Sequence, residues 1–159
     1  MIRTTVVWSA CLLLILVAAP CAGAEPEGDE VRKQAVQEEL ARFAGMWEIL
    51  TEGQTGPAQF AVFRKDGTYS TYDQDGKELW LGTFEIDPTA KPKVWDHRSR
   101  ESKQAGRDRL GIYELDGDEL KVCVNEGHWK NGKWDGKPRP TEFKDSEAYA
   151  VIEFRRIRK

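Results

Sequence analysis

The sequence predicts an antiparallel all-β domain: an eight-stranded up-and-down barrel that follows one short helix. Three observations support this fold class. After residue 45 the hydrophobic pattern changes from a helical period to an alternation of apolar and polar residues. Turn sequences such as Asp66-Gly67 and Asp75-Gly76 separate consecutive apolar runs, which is typical of β-hairpins. The runs follow one another without helical crossovers, so neighbouring strands are expected to be antiparallel.

The first 24 residues have the pattern of a cleavable secretion signal. A single charged residue precedes Glu25, and residues 6–19 are almost entirely apolar. Small residues at Ala22 and Ala24 have the spacing that signal peptidase accepts, so we expect cleavage between Ala24 and Glu25. The mature chain is therefore expected to be periplasmic or secreted.

Two other interpretations of this segment stay open. One is a membrane anchor, although the 14 residues of the apolar run are short against the roughly 20 that cross a bilayer. The other is lipidation at Cys21, but Pro20 stands where lipoprotein signals normally carry a small residue. Soluble export is favoured over both, and no transmembrane span is expected in the mature chain.

A helix is expected over Glu30–Phe43, where apolar residues recur at helical spacing before a stop at Gly45. Residues 25–37 would form a linker and the start of this helix, and residues 38–159 the barrel domain. Closure of the strands into a barrel leaves no exposed sheet edge, and an open sandwich is the alternative. The eight predicted strands are Met46–Thr51, Gln59–Lys65, Thr68–Asp73, Lys77–Ile86, Lys93–Arg98, Arg107–Leu115, Glu119–Asn125 and Tyr149–Arg156.

Charged residues indicate which face of each strand meets water, because successive side chains point to opposite faces. In the fourth strand Glu85 is expected to point outward. The fifth strand is ambiguous: either Trp95 and His97 face inward, or Val94 and Asp96 do.

An interior pocket is the first candidate site. A barrel of eight strands is just wide enough to be filled by its side chains or to hold one small ligand. Inward aromatic residues would supply apolar walls, with the histidine or the tyrosine hydroxyl as polar anchor. The same residues would serve equally well as a solid core. The candidate lining residues are Trp80, Phe84, Trp95, His97 and Tyr113.

The segment 126–138 is the second candidate. Trp129 and Trp134 stand there among three lysines, a pattern that suits stacking on flat rings or sugars. The turn sequence Asn131-Gly132 also permits the tryptophans to fold back as lids on the barrel. The alternative to small-molecule binding is thus a filled barrel that contacts an envelope protein or a glycan through this segment.

Other functional classes have little support. A net charge of −3 does not suit nucleic acid, whose phosphates need clustered Lys and Arg. The two histidines, His97 and His128, lack metal-site spacing, and no nucleophile–base motif is visible. We therefore predict neither an enzyme, nor a metal site, nor a cofactor. Cys123 lies in an apolar alternation and is expected to be a packed thiol.

One short motif resembles the start of a known fold. Ala-Gly-Met-Trp at 44–47 follows the predicted helix and is similar to the Gly-x-Trp start of lipocalins. In that fold the tryptophan closes one end of the barrel, under a basic residue near the last strand. The resemblance implies a structural role for Trp47 and makes Arg155 or Arg156 its expected partner.

Longer segments resemble one particular family. Gly-Thr-Phe-Glu-Ile-Asp-Pro (82–88), Leu-Gly-Ile-Tyr-Glu-Leu-Asp-Gly-Asp (110–118) and Arg-Pro-Thr-Glu-Phe (139–143) are similar to exported lipocalin-like proteins abundant in planctomycete bacteria. The resemblance extends over residues 38–157 and implies a lipocalin-like barrel and an exported location. The family has no established activity, so the resemblance transfers no functional residue. This chain departs from the family pattern at Asn125–Pro138, where a longer segment is placed to reshape a barrel mouth.

Overall fold

The structure is a computed structural model that describes residues 26–50, 57–99, 108–144 and 148–158. The predicted signal over residues 1–24 and its cleavage site lie outside the described residues. Within the ranges that are described, no helix combines the length and the apolar character needed to pass through a membrane.

Helix α1 spans Pro26–Phe43 and begins earlier than the expected start at Glu30. Proline is favourable at the first helical position because its ring fixes a helical φ and its missing N–H needs no partner there. Acidic residues in the first turns also suit the positive end of the helix dipole. Leu40 and Phe43 are buried in the main core, and Val36 packs against it.

Within the described residues ten strands follow α1. Eight of them form the barrel, and β8 and β9 form a separate hairpin around Asn131-Gly132, whose φ angles of 51° and 75° give the tight turn that its sequence predicts. The strands are β1 (Gly45–Ile49), β2 (Phe60–Phe63), β3 (Thr68–Tyr72), β4 (Glu78–Asp87), β5 (Val94–Ser99), β6 (Asp108–Asp116), β7 (Glu119–Gly127), β8 (Trp129–Lys130), β9 (Lys133–Trp134) and β10 (Ala150–Arg156).

The barrel is closed and fully antiparallel. Strands β1 to β7 pair in chain order, and β10 pairs with both β7 and β1. The closing ladder places Trp47 opposite Arg156 and Ile49 opposite Phe154. The predicted eight-stranded antiparallel barrel with a short N-terminal helix is confirmed, and the alternative of an open sandwich is wrong.

The two ends of the barrel differ. At one end, called the helix end, α1 leads directly into β1, and Gly117 lies in the turn between β6 and β7. The other end, called the opposite end, is where β7 finishes and the β8–β9 hairpin begins. The inward side chains of each strand therefore line the interior from the helix end to the opposite end.

Trp47 lies at the helix end and is fully buried. Its indole Nε1 donates to the carbonyl oxygen of Phe43 over 2.9 Å. The guanidinium of Arg156 lies 4.1 Å from the centre of the Trp47 ring, and its Nη1 donates to the carbonyl oxygen of Ala44 over 2.7 Å. Of the two arginines expected as partners, Arg156 covers the tryptophan, whereas Arg155 is exposed.

A strap formed by residues 138–144 crosses the outside of the barrel. Arg139 donates to the carboxylate of Asp96 (Nη2 to Oδ2, 2.9 Å) and to the carbonyl oxygen of Gly111 (2.7 Å). Asn125 on β7 donates to the carbonyl oxygen of Pro138 over 2.7 Å. Cys123 is fully buried in a small outer cluster that includes Phe143 of the strap. The Arg-Pro-Thr-Glu-Phe motif thus packs against the barrel wall.

Candidate ligand site

The half of the barrel next to the helix is filled by side chains. The ring of Phe43 lies 5.7 Å from that of Phe63, 5.5 Å from that of Phe84 and 5.0 Å from that of Tyr113, measured between centroids. Phe84 is also in contact with Trp95, with centroids 6.5 Å apart. The structure therefore places two of the predicted pocket residues, Phe84 and Tyr113, in this packed half.

The polar atoms of this half have partners. Glu39 of α1 is only 5% exposed, and its carboxylate accepts from the Tyr113 hydroxyl at 3.1 Å and from Lys93 Nζ at 2.7 Å. Burial alone raises the pKa of Glu39, but Lys93, Tyr113 and Arg42 together lower it below its ordinary value. Burial and the neighbouring Glu39 raise the pKa of the Tyr113 hydroxyl. Tyr113 is thus a fixed donor to α1 and is not free to anchor a ligand.

Three inward side chains of β4 and β5 are different. Among the described residues, the indole Nε1 atoms of Trp80 and Trp95 and both ring nitrogens of His97 are buried without a hydrogen-bond partner. His97 is 3% exposed and Trp95 is 4% exposed, so β5 turns this pair inward and its sequence ambiguity is resolved. We call Trp80, Trp95 and His97 the polar cluster.

Aromatic rings surround His97 on several sides. The ring centroid of Trp80 lies 5.1 Å from that of His97 with an edge-on geometry, and that of Tyr69 lies 5.2 Å away. Trp95 is 5.8 Å away and tilted. The imidazole therefore lies in an aromatic enclosure, which combines apolar walls with ring nitrogens.

Gly82 packs closely against this enclosure. A Cβ atom at this position would stand 3.0 Å from Nε1 of Trp80, 3.1 Å from Nε2 of His97 and 2.7 Å from the carbonyl oxygen of Arg98. Two nitrogens of the polar cluster thus face one point above the Gly82 backbone. A methyl group on residue 82 would crowd all three atoms, so the close packing of the cluster requires glycine at this position.

The cluster carries no formal charge. Burial lowers the pKa of His97 to about 3, and the positive charge of Arg109 acts in the same direction, so the imidazole is neutral at ordinary pH. Arg109 itself is bound to Glu126 of β7 through Nη2 and Nε, which lie 2.8 and 3.1 Å from Oε1. The two charges face one another in the β6–β7 ladder and neutralise each other.

Tyr69 completes the enclosure and, like Arg109 and Glu126, is absent from the sequence-based candidates. Burial raises the pKa of its hydroxyl, which stays protonated. That hydroxyl is close to the Trp80 indole, but the indole N–H makes no hydrogen bond within the described residues. Cross-strand register was the available signal, because Tyr69 lies directly opposite Gly82.

The chemistry of the polar cluster follows from its atoms. Two indole N–H groups can only donate, and a neutral imidazole supplies one donor and one acceptor. Leaving such a buried group unpaired costs about 1–3 kcal/mol. A small polar group that accepts hydrogen bonds, and can also donate one, would satisfy these nitrogens.

The tryptophans of segment 126–138 separate into two environments. Trp134 folds back against Gly127 and Gly136, and its Nε1 donates to the carbonyl oxygen of Lys137 over 2.7 Å. Trp129 stays 40% exposed, with the guanidinium of Arg98 located 4.8 Å from its ring centre. Trp129 is therefore the more exposed ring of the pair, and it contacts Trp134 with centroids 5.7 Å apart.

An open groove lies away from the polar cluster, at the helix end. Its volume is about 510 Å³, and it runs between the β4–β5 connection and the end of β6, with Phe143 of the strap at its side. Tyr113 is among the residues that line it. In the ranges that the structure covers, no group of three His, Cys, Asp or Glu side chains is arranged to hold a metal ion.

Comparisons with models of known protein families, with curated proteins and with solved structures found no match to this chain. The class of protein is consequently defined by its own fold and site. It is a closed eight-stranded antiparallel barrel with a helix against one end and a neutral polar cluster in its interior.

Proposed function

We propose that this protein is an exported lipocalin-like barrel that binds a small, partly apolar molecule, and that the polar cluster contacts the polar group of that molecule. The observation that carries the proposal is the set of four buried ring nitrogens that find no partner within the described part of the chain. Folded proteins leave few such groups, and each one calls for an explanation. A bound molecule supplies the partners.

The surroundings of the cluster suit a small-molecule site. Such sites are mostly apolar and aromatic, with a few convergent polar groups that fix orientation. Tyr69, Trp80 and Trp95 supply the rings, and His97 with Trp80 supplies the convergent nitrogens. Because side chains fill the helix-end half, the bound molecule would occupy the interior between Phe84 and the opposite end of the barrel.

Native mass spectrometry tests the proposal on protein purified from the envelope or medium of the cells that export it. We expect an added component of defined mass that is lost from the double variant Trp80→Phe, His97→Leu and retained by the control Trp129→Phe. The competing occupant is buried water, which commonly satisfies isolated polar groups. A crystal structure with only ordered water at the cluster, and no copurified component, would contradict the proposal.

Export is proposed from the sequence of the first 24 residues. N-terminal sequencing of the exported product is expected to begin at Glu25, since Ala22 and Ala24 have the spacing that the peptidase accepts. A mature chain that begins at a lipid-modified Cys21 would contradict soluble export and place the barrel on a membrane surface.

A second candidate function rests on Trp129. This indole is exposed and stacked by Arg98, an arrangement suited to a sugar ring or to a partner protein in the envelope. Trp129→Ala should then abolish retention on an envelope glycan or capture of an envelope protein, whereas Tyr149→Ala, another exposed aromatic, should not. Equal binding by the wild type and the Trp129 variant would exclude this function.

A further inference from the structure

We infer that the polar cluster recognises an uncharged oxygen group, a hydroxyl or a carbonyl, and discriminates against a carboxylate. The inference rests on the proposed ligand-binding function and adds the chemical class of the group that binds. It is carried by the convergence of Trp80 and His97 above Gly82 and by the pairing of Arg109 with Glu126.

The convergence has the dimensions of a hydrogen-bond site. The nitrogens of Trp80 and His97 stand 3.0 and 3.1 Å from the position of an absent Cβ on Gly82, and N–H···O contacts span 2.7–3.2 Å. The two nitrogens are therefore at most about 6 Å apart, so one ligand oxygen between them can reach both. It accepts from the indole N–H, which can only donate.

The imidazole accommodates both kinds of oxygen. With its proton on Nδ1, His97 accepts at Nε2 from a ligand hydroxyl; with its proton on Nε2, it donates to a ligand carbonyl. The neutral ring offers either arrangement without taking up a proton from solvent. A hydroxyl gains an additional acceptor nearby, because the carbonyl oxygen of Arg98 faces the same point.

A carboxylate is disfavoured at this position. A buried carboxylate needs a counter-ion, but the guanidinium of Arg109 is already bound to Glu126 and His97 carries no charge. The Arg98 carbonyl oxygen would also repel an anion.

Three probes that share one ring system test the inference: 2-naphthol, 2-naphthoate and naphthalene, each titrated into the purified exported protein at pH 7 with tryptophan emission as the signal. We expect 2-naphthol to bind at least about 10-fold more tightly than either of the others, as one or two buried hydrogen bonds would give. Naphthoate or naphthalene binding as tightly as naphthol would overturn the inference while leaving ligand binding itself intact.

Variants identify the atoms involved. Trp80→Phe removes one N–H but keeps a ring, and should weaken 2-naphthol about 3- to 10-fold while changing naphthalene binding by less than about 2-fold. His97→Leu should weaken 2-naphthol similarly, and His97→Gln, which keeps a donor and an acceptor, should restore it. Trp129→Phe is the control and should change neither probe. An unaltered naphthol affinity in folded Trp80→Phe protein would overturn the inference. If none of the three probes binds and no molecule copurifies, the proposed function fails and the inference fails with it.

Discussion

At the helix end of the barrel, Trp47 and Tyr113 are buried aromatic residues whose polar atoms donate to Phe43 and Glu39 of the same chain. Toward the opposite end, Trp80 and His97 lie in equally aromatic surroundings, yet within the described ranges their ring nitrogens have no partner. Both regions are aromatic, and Trp47, Tyr113 and His97 are buried, whereas Trp80 is partly buried. What separates a core from a candidate site is whether the polar atoms are satisfied.

The largest loss of stability is expected from a substitution in the packed half. Trp47→Ala should lower the free energy of unfolding by about 3–5 kcal/mol, as other large-to-small core changes do, because the indole is fully buried under Arg156 and bonded to Phe43. Denaturant titration measures it, with the exposed Trp129→Ala as control. A loss below about 1 kcal/mol would show that this tryptophan does not close the barrel.

A pair of glycines separates stability from binding. Gly82→Ala and Gly111→Ala each place a Cβ 2.7 Å from a backbone carbonyl oxygen, so both should destabilise the fold by about 1–3 kcal/mol. Only the new methyl at residue 82 also meets Trp80 and His97. We therefore expect Gly82→Ala to lose 2-naphthol binding and Gly111→Ala to keep it, in parallel thermal and fluorescence titrations. Loss of binding in both variants would mean that general distortion, and not the point above Gly82, controls binding.

Lowering the pH should destabilise the fold through His97 of the polar cluster. An imidazole in the unfolded chain takes up a proton near pH 6.5, whereas the pKa of buried His97 is about 3. Between these values the unfolded state binds more protons, so stability should fall as the pH falls, by at most roughly 1.4 kcal/mol per pH unit.

Unfolding free energies measured from pH 6.5 to 5 isolate this effect, because the pKa of Glu39 lies below its ordinary value of 4.5 and its contribution is lost only at lower pH. His97→Gln has no imidazole at this position and should reduce the slope. An identical slope in this variant would assign the acid sensitivity to other groups.

The smallest loss of stability is expected from removing one hydrogen bond in the packed half. Tyr113→Phe removes one satisfied hydrogen bond to Glu39, which keeps Lys93 and Arg42 as partners. The free energy of unfolding should fall by about 0.5–1.5 kcal/mol, with 2-naphthol affinity unchanged. Weaker naphthol binding in this variant would extend the site into the half that is described here as core.

The fold could be predicted because each strand has one wet and one dry face, and alternation records that difference directly. The start of α1 could not, because its first turns are polar and show no apolar period. Strands of two residues, such as β8 and β9, are too short to alternate, although their Asn131-Gly132 turn was visible.

The candidate site was predicted only in part. Trp80, Trp95 and His97 of the predicted pocket form the polar cluster. Phe84 and Tyr113 instead pack against Phe43 of α1, and the position of this helix could not be derived from strand periodicity. Arg109 and Glu126 could not be predicted from the alternation, because charged residues usually mark the wet face of a strand. Here two opposite charges share the inner face and neutralise each other, which depends on the β6–β7 register.

The wall of a β-barrel is one layer of strands, and the strap of residues 138–144 packs against the outer surface of that layer. Asp96 is held by Arg139 on the outer surface, and the next residue along β5 is His97 on the inner surface. A shift of β5 by one residue would exchange the two, hydrating the imidazole and burying the carboxylate. The ion pair with Arg139 opposes that exchange, so a contact on the surface of the protein sets the direction of a side chain in its interior.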